Sequence, residues 1–206
     1  MNHNELSEMV TAALTKKALH SSDIPAIDLY LDQILTLVAD KAESGAKGSY
    51  LTKTMINNYS KDGLLKPLKG KKYTKEHIVQ IMIIYYMKGI LSIGDIKRVF
   101  DGIYSDPNFS GEDLIKSYDR FLNMRSKEEE LCRNVIEFVT EKAELDPEKA
   151  DEFLIILMSL VSFCDALKST ALELISAKYR PEESSEKQKD KKNRKSAEKK
   201  QGKDNE

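Results

Sequence analysis

Thr52-Lys-Thr-Met-Ile-Asn-Asn-Tyr-Ser-Lys61, continued by Asp62-Gly-Leu-Leu-Lys-Pro-Leu-Lys-Gly-Lys-Lys-Tyr73, is the stretch that decides how this chain reads. Thr52 has the side-chain oxygen that caps a helix N-terminus, and Gly63 suits the left-handed residue that ends one. The spacing predicts a short helix between them. Met55 and Ile56 would hold it to a core, leaving Thr52, Lys53, Asn57, Asn58 and Lys61 outside. Leu64 to Tyr73 contains Pro67 and Gly70 and is too interrupted for a helix, so it reads as a two-stranded hairpin or an ordered loop.

Outward from this segment, the chain is organised by helical periodicity. On the N-terminal side, Leu6, Met9, Val10, Ala13 and Leu14 give a weak amphipathic pattern over 4–19. Pro25 suits the first turn of a second helix running to about Ala42, with Ser22 or Asp23 as its cap and Ile27, Leu31, Ile34, Leu35 and Val38 on one face. On the C-terminal side, Thr74 and Ser92 are caps for two further amphipathic helices. A stretch over 101–111 with Pro107 and two glycines suggests a domain boundary. Helices are expected near 112–124, 126–144 and 148–178, the last being the most apolar. Residues 181–206 contain no aromatic and no branched aliphatic side chain, so nothing offsets the entropy of ordering them and a disordered tail is expected.

Composition narrows the function classes. The 206 residues carry a formal charge of −1, with 40% apolar and 33% charged side chains. Cys132 and Cys164 are too few for a disulfide framework and have no short-spaced ligand partners. Met1–Leu14 lacks a basic region followed by an apolar run, and the longest nearly apolar stretch, Phe153 to Cys164, is twelve residues, too short to span a bilayer. A cytoplasmic protein is therefore expected. The near-zero total hides strong segregation. Residues 47–76 hold eight basic and two acidic side chains, while 101–180 hold ten basic and seventeen acidic. A local surplus of six positive charges is a footprint for a polyanion.

The order of elements from residue 25 is helix, turn, short polar helix, lysine-rich hairpin, two amphipathic helices. That is the layout of a winged helix-turn-helix, in which the second helix enters the major groove and the wing grips the backbone. Asn can bond adenine bidentately, Lys can bond guanine or phosphate, and Thr can touch the thymine methyl. Lys66, Lys69, Lys71 and Lys72 are the corresponding phosphate contacts on the wing.

Asn57-Asn-Tyr59-Ser-Lys-Asp-Gly63-Leu-Leu-Lys-Pro67, then Lys71-Lys-Tyr73-Thr-Lys-Glu-His-Ile78, then Lys88-Gly-Ile-Leu-Ser-Ile-Gly-Asp-Ile-Lys97 resembles the DNA-binding half of mercury-resistance-type (MerR) regulators. More closely, it resembles a bacterial family of unknown function whose first half is MerR-like. The likeness covers about 50–100. It implies a phosphate-contacting tyrosine at Tyr59, a turn into the wing at Gly63, Leu64 and Pro67, and a wing tyrosine at Tyr73; from the residues alone, either ring serves equally as a core aromatic with a wet hydroxyl. Lys71 stands for a wing arginine and Asn57 for an arginine that usually contacts DNA. The expected fold is mainly α: an N-terminal helix 1–20, a MerR-like winged helix-turn-helix 21–101, a helical dimerisation or effector region 112–180 and the tail.

The expected function is a nucleoid-associated, sequence-specific transcriptional regulator that binds double-stranded DNA as a homodimer through its C-terminal helices. The competing reading is a helical protein–protein adaptor whose basic module meets DNA only non-specifically. No nucleophile–base set, cofactor fingerprint or metal-ligand spacing is visible, so neither an enzyme nor a cofactor is expected. Cys132 and Cys164 sit in apolar helical patterns, where Cys packs as a small hydrophobe.

Overall fold

The computed structural model describes residues 19–41 and 51–179, together with Glu5, Glu8, Met9 and Ala12. Apart from those four positions and Leu19, the weak helix expected over 4–19 lies outside the described residues, as do the loop at 43–49 and the tail 181–206. The described chain is mainly helical. A 3-10 turn over Ser21–Asp23 leads to strand β1 (Leu29–Tyr30), helix α1 (Leu31–Lys41), helix α2 (Lys53–Lys61), strand β2 (Lys72–Tyr73), and helices α3 (Lys75–Met87) and α4 (Ile93–Tyr104). A long α5 (Gly111–Glu137) runs on as a π-helical segment, Phe138–Lys142, before the final α6 (Ala150–Lys178).

The helix starts follow from their caps. Thr52 Oγ1 accepts the Met55 N–H at 3.2 Å, Thr74 Oγ1 the His77 N–H at 3.4 Å and Ser92 Oγ the Asp95 N–H at 3.1 Å. Each bond satisfies one of the four N–H groups that a helix leaves unpaired at its start. At the far end of α2, Gly63 takes φ +67°, and Leu64 N–H reaches back to the Tyr59 carbonyl at 2.9 Å. A side chain there would be strained, so glycine closes the helix.

Three expected elements differ. The helix anticipated from Pro25 begins only at Leu31, because Leu29 and Tyr30 pair with β2 instead. The pairing is antiparallel, Leu29 opposite Tyr73 and Tyr30 opposite Lys72. For the same reason the segment 64–73 is the ordered loop of its two expected forms rather than the hairpin: its one strand finds its partner 42–44 residues upstream. Finally, α5 is continuous where two helices, 112–124 and 126–144, were expected. Arg125 sits inside it, donating to the Tyr86 hydroxyl at 3.2 Å and lying 3.9 Å from Glu128. No proline or glycine interrupts that stretch, so its polar residues form helix surface rather than a break.

The core gathers Ile34, Ile56, Leu64, Ile78, Ile81 and Ile96, each at most 1% exposed. It continues past the Pro/Gly stretch 101–111. Leu114, Tyr118 and Leu122 of α5 belong to the same buried cluster as Leu19 and Ile24. Two long-range links fix α5 to the chain before β1. The Tyr118 hydroxyl donates to the Leu19 carbonyl at 2.8 Å, and Asp119 accepts from the Ser21 backbone at 3.1 Å and its hydroxyl at 2.5 Å.

One buried polar side chain orders the segment after α2. Gln80 is fully buried on α3; its amide nitrogen donates to the Leu64 carbonyl at 2.6 Å and its oxygen accepts from the Lys66 N–H at 3.3 Å. Replacing it with an apolar residue of similar size leaves both backbone groups unpaired. Gln80→Leu is expected to lower stability by about 1–3 kcal/mol, read as the shift in a urea unfolding midpoint; a change within about 0.5 kcal/mol would match an ordinary surface substitution and refute the clamp.

Candidate nucleic-acid interface

Helix α2 has two sides. Ile56 and Tyr59 are buried, whereas Lys53, Thr54, Asn57, Asn58 and Lys61 are exposed. Spacings of one, three and four put that exposed set along one face. Thr52, also exposed, spends its hydroxyl oxygen on the cap described above. Thr54 was not among the sequence candidates, although its position between Lys53 and Asn57 on the same face is legible from period alone.

Two of the basic residues, Lys53 and Lys72, meet at the N-terminal end of α1. Lys53 of α2 lies 3.3 Å from Asp32, an exposed pair worth little on its own. Lys72 of β2 places its ammonium 5.2 Å from the centre of the Tyr30 ring. Tyr30 and Asp32 are two residues apart, so the start of α2 and the end of the lysine-rich segment are both tied to one turn of chain. Tyr30 is half exposed, and its role was hidden because the sequence placed it inside a helix. Lys61, Lys69 and Lys71 are exposed and have no carboxylate within 4 Å among the described residues.

Lys66 is held differently. Its ammonium is 2.6 Å from the Glu76 carboxylate and 4.1 Å from the centre of the Tyr104 ring, in a partly buried site. The charge is thus directed into the fold between α3 and α4. Beside it, His77 is buried; its Nδ1 lies 2.7 Å from Thr74 Oγ1 and accepts the Thr74 N–H at 3.2 Å, completing a reciprocal cap. Burial lowers its pKa below the usual imidazole value, outweighing the Lys66 backbone and Glu76, which favour the charged form.

Tyr59 and Tyr73, each read from sequence as either a core aromatic or a phosphate contact, are both 5% exposed. The Tyr59 hydroxyl is buried without a hydrogen-bond partner, and burial, with Tyr85 nearby, pushes its pKa up. Tyr73 packs edge-on against His77, ring centres 6.2 Å apart. Both rings are core aromatics, and the exposed polar surface here is that of α2 and the lysines.

Cys132 is half-buried and Cys164 exposed. Burial, then Glu128, then Cys164 push the Cys132 thiol up, the opposite of an activated thiolate. Among the described residues, no three His, Cys, Asp or Glu side chains lie close enough together to hold a metal ion, and no helix is long and apolar enough to cross a membrane.

Residues 19–121 match the model of a family described as a domain of unknown function, DUF1836, and the chain belongs to that family. The match opens at Leu19 and closes one residue before Leu122, the same bounds as the buried cluster around Gln80 and Tyr118. No curated protein and no solved structure matches the chain.

Because the Tyr59 hydroxyl is desolvated and unpaired, Tyr59→Phe is expected to raise stability by about 1 kcal/mol, the desolvation of one polar group, and to leave affinity for duplex DNA unchanged. Thermal unfolding and a fluorescence-anisotropy titration check both parts. A loss of affinity with unchanged stability would put the tyrosine back among the phosphate contacts.

Proposed function

We propose that this chain is a sequence-specific reader of double-stranded DNA: a transcriptional regulator with a MerR-like winged helix-turn-helix, working as a dimer on the nucleoid. The observation that supports the reading most is the exposed polar face of α2, Thr54, Asn57, Asn58 and Lys61, beside Lys53 and Lys72 at one end of α1. Helix α2 supplies base-reading chemistry, since Asn can bond adenine and Lys can bond guanine. Lys69, Lys71 and Lys72, held in position by the Gln80 clamp and the β1–β2 pairing, supply phosphate contacts. The wing in this reading is an ordered loop leading into β2. With two copies, half-sites would lie about one helical turn, ~10 bp, apart or at multiples of it.

A second reading, an adaptor for another protein, is favoured by the large apolar side chains exposed on α6. Selection of bound fragments from a random duplex library at two salt concentrations separates the two. A recovered palindrome whose affinity falls steeply with salt supports the regulator. Motif-free retention that vanishes at physiological salt leaves the adaptor.

Single substitutions refine the reading. Lys71→Ala is expected to weaken binding to all sequences alike and to reduce the slope of log affinity against log salt by about 1, one phosphate contact. Asn57→Ala is expected to cost about 1–3 kcal/mol and relax preference at one base position. An unchanged salt slope, or intact specificity, would remove the respective residue from the interface.

A further inference from the structure

Helix α6 is 29 residues long, and only Ile156 and Ile175 are buried. Nine of its large apolar side chains are exposed: Phe153, Leu154, Ile155, Leu157, Met158, Val161, Phe163, Leu167 and Leu174. From Phe153 to Cys164 there is no charged residue. These side chains do not form one stripe; positions 153, 154, 155, 157 and 158 point around most of the helix circumference. A helix that is apolar on all sides is a buried helix. Here it is held at its ends. Near its start it meets the π-helical segment, whose Val139 is 2% exposed, and at its far end the Tyr179 ring packs on α4 at Gly102, where a Cβ would overlap the ring. Between these anchors, Phe138 of the π segment and Ile155, Met158, Ser162 and Ala166 of α6 line an open groove of about 540 Å³. Phe121, Met124 and Leu131 of α5 are exposed as well.

We infer that this surface is the interface of a homodimer in which a second copy's α5 and α6 pack against α6, burying it on the sides that one chain leaves open. Three observations select a second copy over other occupants. The first is size. Thirteen large apolar side chains at roughly half exposure offer on the order of 1,000 Å² per chain, taking about 150–250 Å² for a large ring and less for an aliphatic. Two copies then reach ~2,000 Å² or more, the class of obligate homodimers, and well above the patch of a few hundred Å² that a monomer carries.

The second is charge. The whole segment 101–180 is acidic, yet the stretch Phe153–Cys164 is neutral, so two identical surfaces can meet without like charges opposed. Glu148, Asp151, Glu152 and Asp165 flank it, and these acids disfavour an anionic membrane. The third is shape. Ser159, Ser162 and Ala166 put small side chains between Ile155, Met158 and Phe163, forming a groove into which a partner's large side chain can insert. This interface does not rest on DNA binding, because a chain with no affinity for DNA would still bury it.

The test uses the full chain without DNA. Sedimentation velocity from low to high micromolar concentration is expected to show one species of twice the 23.4 kDa chain mass. Val161→Glu and Leu167→Glu change side chains that are exposed in the single chain, so a monomer would tolerate them. In the dimer each is expected to raise the dissociation constant roughly 100-fold or more, by burying an unpaired charge.

A second measurement needs no destabilising change. A photoreactive methionine analogue at Met158 is placed in a mixture of isotope-labelled and unlabelled chains, and cross-links joining labelled to unlabelled α5 or α6 are expected. A wild-type chain monomeric throughout, glutamate variants that sediment like wild type, or cross-links only to residues 1–18 of the same chain would each overturn the inference. The last result would make the N-terminal segment the cover.

Discussion

A single fully buried amide organises this protein. Gln80 lies in a run of isoleucines and valine on α3, where a polar side chain is costly unless every group it carries is met. It is met by the backbone of Leu64 and Lys66 at 2.6 and 3.3 Å. Through those bonds a segment broken by proline and glycine keeps one path from α2 to β2. That path fixes where Lys69, Lys71 and Lys72 emerge and lets Tyr73 reach Leu29. Without the amide, the helices would still have their caps and apolar faces, but the basic segment would lose both hydrogen bonds that tie its backbone to α3.

The family domain and the buried cluster coincide because α5 closes the core rather than starting a separate one. Tyr118 and Asp119 bind the backbone and side chain of residues 19–21, almost a hundred positions earlier. The apolar rings continue the seam: Tyr86 lies against Tyr118 and Phe121 at 6.4 and 5.4 Å between centres. Such aromatic pairs add about 0.5–1.5 kcal/mol beyond their buried area. The first half of α5 therefore belongs with the basic module, and its second half leaves the core and runs into the π-helical segment that α6 also meets. One continuous helix spans both.

What could be read from sequence divides along the line between local and distant causes. Thr52, Thr74 and Ser92 announced their helices because a cap acts within three residues, and Gly63 announced a helix end for the same reason. The β1–β2 pairing was not legible: two residues at 29–30 and two at 72–73 have too little pattern to signal a strand, and their partnership is set by the loop clamp between them. At the candidate interface, the exposed face of α2 followed from period. The fate of Lys66 did not, since a lysine in a basic run carries no mark that Glu76 and Tyr104 will claim it. Tyr59 and Tyr73 were ambiguous in sequence because an aromatic serves a core and a phosphate equally well. The apolarity of α6 was plain, but a sequence does not say whether a helix buries that surface within its own chain or against another.

The π-helical turn at Phe138–Lys142 lets the end of α5 absorb a change in length. Its Thr140 hydroxyl donates to the Ile136 carbonyl at 2.8 Å, and the turn beyond it closes with Leu145 N–H on the Thr140 carbonyl at 2.9 Å while Glu144 takes φ +54°. A π turn accommodates one residue more than the regular ladder. The extra residue is taken up inside that turn, so a sequence one residue shorter here can close as an ordinary α-helical turn. Length in this five-residue window is thus absorbed locally, ahead of the non-helical connection 143–149 that leads into α6.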